Sequence, residues 1–110
     1  MIRSGERLRS ILDGLPGAAP VLTEAEGRLM RSLRTQGERA VRGRIVTRHR
    51  FEARQRPGGV ALCMEIEGRH AMAVAQQLAK RFGVVEDVRS AEVTRTKRGA
   101  LLALQTRDGR

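Results

Sequence analysis

The chain is 110 residues long, with 22 Lys+Arg against 12 Asp+Glu and a formal net charge of +10. That length suits one domain with a modest core, and a composition 40% hydrophobic and 31% charged excludes wholesale disorder. No apolar run approaches the roughly 20 residues that span a bilayer, the N-terminus reads as too charged for a secretory signal, and the single Cys63 fits a reducing cytoplasm without a disulfide framework.

Residues 4–15 read as a short amphipathic helix, because Leu8, Ile11, Leu12 and Leu15 follow the i, i+3, i+4, i+7 spacing behind a possible Ser4 cap. Asp13-Gly14-Leu15-Pro16-Gly17 breaks that pattern and leads into a connector through Pro20. A second helix begins at Thr23, where Glu26 three residues on completes a capping box. Ala25, Leu29, Met30 and Leu33 form its apolar face, and Gly37 is read as its stop.

From Arg42 the periodicity changes from 3.6 to 2. Ile45, Thr47, Phe51 and Ala53 occupy odd positions, whereas Arg42, Arg44, Arg48, Arg50, Arg54 and Arg56 occupy even ones. Strand side chains alternate between faces, so this run predicts a strand with one mixed-to-apolar face and one nearly all-arginine face. Pro57-Gly58-Gly59 turns the chain. Val60, Leu62, Met64 and Ile66 then alternate with Ala61, Cys63, Glu65 and Glu67, which supplies the antiparallel partner.

A third helix is expected over residues 70–82, with Ala71, Val74, Ala75, Leu78 and Phe82 as its stripe, His70 as a possible cap and Gly83 as its stop. Two more strands follow over residues 84–95 and 100–107, joined by Thr96-Lys97-Arg98-Gly99; Glu86 and Asp87 fall on the first of them. The predicted fold is therefore α+β: a four-stranded antiparallel sheet of two hairpins with helices on one face, in the order αββαββ after an extra N-terminal helix. Residues 1–22 make that helix and its connector, and residues 23–110 make a single domain.

Arginine supplies 20 of the 22 basic residues. A GC-rich coding sequence favours Arg over Lys in any protein, but it does not explain six arginines on one parity of one segment. Such a row, spaced about 6.8 Å apart along a strand, repels itself unless anions lie against it. Nucleic-acid phosphates are the usual such anion. If Gln55 lies opposite Val60, then Arg50 faces Glu65 and Arg48 faces Glu67; two glutamates cannot neutralise six arginines, so surplus positive charge remains. An acidic protein partner or a merely solvated face are the other readings. Lys97 and Arg98 in the second turn join the six arginines as candidate nucleic-acid contacts.

Enzymatic constellations are thin: no Gly-rich phosphate loop, no paired carboxylates at one site, and no nucleophile elbow. His49, His70 and Cys63 are too few ligands for a soft-metal site. With Phe51 and Phe82 as the only aromatics, base stacking is poorly supplied. Cys63 shares its predicted face with Glu65 and Glu67, which raises its pKa and argues against a reactive thiol. The chain is expected to be non-catalytic, with no cofactor and no metal.

The order of capped helix, hairpin, helix, hairpin resembles the LAGLIDADG homing-endonuclease fold, and more narrowly the LAGLIDADG-like N-terminal domain of WhiA-type sporulation regulators. The matching stretches are Glu24-Ala25-Glu26-Gly27-Arg28-Leu29-Met30-Arg31-Ser32-Leu33-Arg34 through Gly37, Gly43-Arg44-Ile45-Val46, Leu78-Ala79-Lys80-Arg81-Phe82-Gly83-Val84, and Thr96-Lys97-Arg98-Gly99-Ala100-Leu101-Leu102-Ala103-Leu104. Together they span residues 23–107. Where the resemblance places a nuclease's metal-binding carboxylate, this chain has Gln36, a poor divalent-cation ligand. Where two such helices pack closely, it has the bulky Arg31.

The resemblance thus implies a DNA-binding, transcription-regulatory domain without catalysis, cytoplasmic and nucleoid-associated, laying a sheet face along duplex DNA. It also implies a companion: a second repeat, a homodimer, or a C-terminal helix-turn-helix domain. The alternatives are a ribosome- or RNA-associated basic α/β module and a homing-endonuclease half. No membrane contact is expected.

Overall fold

The computed structural model describes residues 19–107; the helix predicted over residues 4–15 lies outside them. Two helices and four strands follow in the order α1 (Glu24–Ala40), β1 (Arg48–Arg56), β2 (Gly59–Glu67), α2 (Ala71–Phe82), β3 (Val88–Arg95) and β4 (Gly99–Thr106). The chain has the α+β architecture and the αββαββ order expected over this range.

The start of α1 is fixed by local chemistry. Glu26 N–H donates to the Thr23 hydroxyl at 3.1 Å, and Thr23 N–H donates to the Glu26 carboxylate at 2.9 Å. Two backbone donors with no partner inside the helix are satisfied this way, and Glu26 is buried in doing so.

Gly37 does not end α1. The helix runs three residues further, and Gly37 C=O accepts from Val41 N–H. Its role is one of clearance: a Cβ there would stand 2.8 Å from the Phe51 ring and 2.9 Å from the Met64 sulfur. Glycine therefore lets β1 and β2 pack directly against the helix backbone.

That extension displaces the start of β1. Val41 to Arg44 turn, and Ile45 exchanges backbone contacts with His70: its N–H donates to His70 Nδ1 at 2.9 Å, and His70 N–H donates to its carbonyl at 3.0 Å. The last residue of β2, Glu67, pairs with Arg48, so the ladder has no place for residues 42–47. His70 thus anchors a loop and makes no side-chain bond capping α2. At the other end of α2, residues 84–87 form the turn into β3, so Glu86 and Asp87 lie before the strand predicted to carry them.

The strands lie in the order β1-β2-β4-β3, all neighbours antiparallel. Gln55 pairs with Val60, Arg50 with Glu65 and Arg48 with Glu67, the register supposed from the sequence and one of those that keep the apolar faces together. After β2 the chain crosses through α2 to the far edge as β3, then returns as β4 into the space left beside β2. Both helices cover one face. Leu29, Met30 and Leu33 of α1 and Val74, Ala75, Leu78 and Phe82 of α2 close over Leu62, Met64, Ile66, Ala100, Leu102 and Leu104, all buried in one cluster. Phe51 and Ala53 border it from β1. Among the described residues no helix is long and apolar enough to cross a membrane.

Candidate nucleic-acid interface

The face of the sheet away from the helices holds the alternate side chains of every strand. From β1 come Arg48, Arg50, Glu52, Arg54 and Arg56; from β2, Ala61, Cys63, Glu65 and Glu67. From β4 come Leu101, Ala103 and Gln105, and from β3 Ser90, Glu92 and Thr94. The bulge after Val88 turns Arg89 onto the same face, where it donates to Gln105 at 3.0 Å and to the Gly58 carbonyl at 3.3 Å.

Four of the six arginines expected on a common face are found there. Arg42 and Arg44 are not. Both lie in the turn between α1 and β1, and Arg44 reaches to the helical side, donating to Gln77 of α2 at 3.0 Å. Their even parity is an accident of numbering once a turn separates them from the strand.

Half of the arginine row is also compensated. Arg50 donates to Glu65 at 2.7 Å and lies 3.9 Å from Glu52, while Arg54 pairs with Glu52. The hydrogen bond to Glu65 and the two carboxylate charges raise the Arg50 pKa further. Glu52 sits in the middle of the row, and Glu92 adds a charge from the far edge. Five arginines therefore share this face with four glutamates, two of which are ion-paired to Arg50 and Arg54, so the surplus is smaller than the sequence led one to expect. Arg48 and Arg56 are the two members of the row outside any ion pair among the described residues.

The centre of the same face is apolar. Ala61, Cys63 and Ala103 are buried together with Leu101 against them. Cys63 is fully inaccessible, and burial is the main cause of a raised thiol pKa. Arg54 and Arg56 oppose that rise, and the Glu52 and Glu65 charges add to it. The direction is the one expected, but desolvation leads and the carboxylates follow.

At the end of the sheet where β4 begins, the balance of charge reverses. The β3–β4 turn is closed by Thr96 N–H donating to the Gly99 carbonyl at 3.0 Å and by Gly99 N–H donating to the Thr96 hydroxyl at 3.1 Å. Lys97 and Arg98 project from it into solvent. Arg69 follows the β2 exit, Arg95 ends β3, and Arg48 begins β1 on the residue paired with Glu67. Glu67 also pairs with Gly99, so these positions share one end of the sheet. None of the five cations is in an ion pair among the described residues.

Sequence reading found Lys97 and Arg98 from the turn itself. Arg69 and Arg95 carried no linear signal, because only the return of β4 beside β2 brings their segments together. A third basic group, Arg39, Arg44 and Arg81, lines the groove between α1 and α2. There the amides of Gln77 and Gln36 already accept from Arg44 and Arg81. Gln36, at the position the resemblance assigns to a nuclease carboxylate, is thus bound to an arginine of α2.

Comparison of the chain with protein-family models, with curated proteins and with solved structures returned no match.

Proposed function

We propose that this chain is a non-catalytic nucleic-acid-binding domain that grips the phosphates of duplex DNA, in a regulatory role like that of the WhiA-type domains its element order resembles. The observation that carries this reading is the end of the sheet, where Arg48, Arg69, Arg95, Lys97 and Arg98 gather without a carboxylate in ion-pairing reach among the described residues. Free cations release counterions from a polyanion when they bind it, whereas cations already paired with glutamate gain little. The contact surface is therefore centred on this end and on Arg48 and Arg56, and the middle of the arginine row is secondary.

Backbone gripping also suits the aromatics. Phe82 is buried and Phe51 lies on the helical side under Arg34, 5.6 Å from the ring, so neither offers a stacking platform on the open face. The test is a titration of labelled duplex DNA across a salt series. Replacing Arg48, Lys97 and Arg98 with alanine should flatten the slope of log affinity against log salt by about 0.9 for each phosphate that is no longer neutralised. Replacing Arg50 and Arg54 should change it less. Structured RNA at matched salt separates the RNA alternative, and absence of salt-dependent binding to either polymer rejects the reading.

A further inference from the structure

We infer that the cavity between the β2–α2 connection and the β3–β4 turn is a phosphate-binding pocket. It is an open concavity of about 390 Å³ lined by Gly68, Arg69, Arg95, Lys97, Arg98 and Gly99, with Thr96 and Met72 completing the wall. Four of these side chains are cationic and none lining it is acidic. All four cations lack a hydrogen-bonded or ion-paired side-chain partner among the described residues, in contrast to Arg50, Arg54 and Arg89 on the open sheet face and to Arg44 and Arg81 in the interhelical groove. Like charges brought around one concavity repel one another until an anion lies between them. Arginine and lysine donors in that arrangement suit the tetrahedral oxygens of phosphate.

The pocket is built on a rigid base. Gly68 has φ +130°, and a Cβ there would stand 2.6 Å from the Ile45 carbonyl; at Gly99 a Cβ would stand 2.1 Å from the Ile66 carbonyl and 2.7 Å from Ala71 Cβ. Both walls are thus clamped to neighbouring backbone, Gly68 N–H donates to the Arg98 carbonyl at 3.1 Å, and the turn is closed by its own hydrogen bonds. Cations mounted on such a base give up little backbone freedom when they close on a ligand.

The inference rests on the nucleic-acid reading only for where the phosphate comes from. A backbone phosphodiester and a terminal phosphomonoester present the same oxygens. Inorganic pyrophosphate is the direct probe, titrated into the full chain while the backbone amide signals of residues 95–99 are followed by NMR. Saturable shifts there are expected, with affinity reduced about tenfold or more in the K97A/R98A variant, as for loss of charge-assisted hydrogen bonds. The same titration should be unchanged in R50A/R54A. No shifts, or equal losses in both variants, overturns the pocket.

Duplexes with and without 5′-phosphates then identify the source. A preference for the phosphorylated end assigns a monoester, and equal affinity with K97A/R98A weakening both assigns the backbone. Salt-dependent duplex binding without pyrophosphate shifts at residues 95–99 overturns the pocket while the proposed function stands. Pyrophosphate binding without any polymer binding leaves the pocket standing and removes the nucleic-acid reading.

Discussion

The middle of β1 and the end of the sheet at the β3–β4 turn hold their cations in opposite states. On β1, Arg50 and Arg54 are held by Glu52 and Glu65, and the strand lies at an edge of the sheet. Charged side chains on an edge strand discourage pairing with another chain. Around the β3–β4 turn the cations stay unpaired, because Glu67, the carboxylate at that end, lies on the sheet face and outside the pocket lining. The density of a charge along a sequence and its availability to a ligand are different quantities. Register decides the second by choosing who stands opposite whom.

The largest expected effect comes from the two turns themselves. Gly99→Ala drives a Cβ into backbone that cannot yield, and should destabilise the fold by about 3 kcal/mol. Gly58→Ala in the β1–β2 turn meets only the Gln105 and Arg89 side chains at 3.7 and 3.8 Å, and should change stability by less than about 0.5 kcal/mol. Thermal or urea unfolding of both variants checks the contrast; equal losses would show that the two turns are equally constrained.

A smaller effect should follow from freeing the paired arginines. In the E52Q/E65Q variant Arg50 and Arg54 lose their partners, so the duplex-binding salt slope should steepen by up to about 0.9 for each arginine that reaches a phosphate. Stability should fall by only about 0.2–1 kcal/mol per broken pair, since all these side chains are partly exposed. An unchanged slope would mean that the middle of β1 is out of reach of the polymer even when its charge is released.

The smallest effect concerns Cys63, which lies between the two arginine states at the centre of the face. Its pKa is raised above the ordinary 9.0, chiefly by burial, so the folded state holds the thiol proton more tightly than the unfolded state does. That contribution to stability is complete below the unfolded pKa and is lost as pH rises above it. Thiol-modifying reagents should label Cys63 slowly in the native protein near pH 8 and quickly in urea, and native labelling as fast as in urea would refute its burial.

Much of the architecture was legible because it rests on short-range pattern. Thr23 and Glu26 announced the start of α1, the stripe from Ala71 to Phe82 announced α2, and alternation around Pro57-Gly58-Gly59 set which faces of β1 and β2 go together, while the pairing of Gln55 with Val60 was a supposition that the structure bears out. The misreadings fall where a distant contact overrides a local cue. Gly37 looked like a stop, yet Phe51 and Met64 need its missing side chain. Arg42 and Arg44 continued a parity, yet Ile45 and His70 hold the loop out of the sheet. Glu52 is a single carboxylate inside an arginine run, yet its place between Arg50 and Arg54 makes it their shared partner.

By itself, then, the amino-acid order determined the element types, the two hairpins and the helix-covered face, because capping, turn chemistry and hydrophobic periodicity act over a few residues. Tertiary structure alone decided which cations are free. Ion pairing and pocket walls depend on strands far apart in the chain, and here it is β4, inserted beside β2, that brings Arg69 to Lys97 and Arg98.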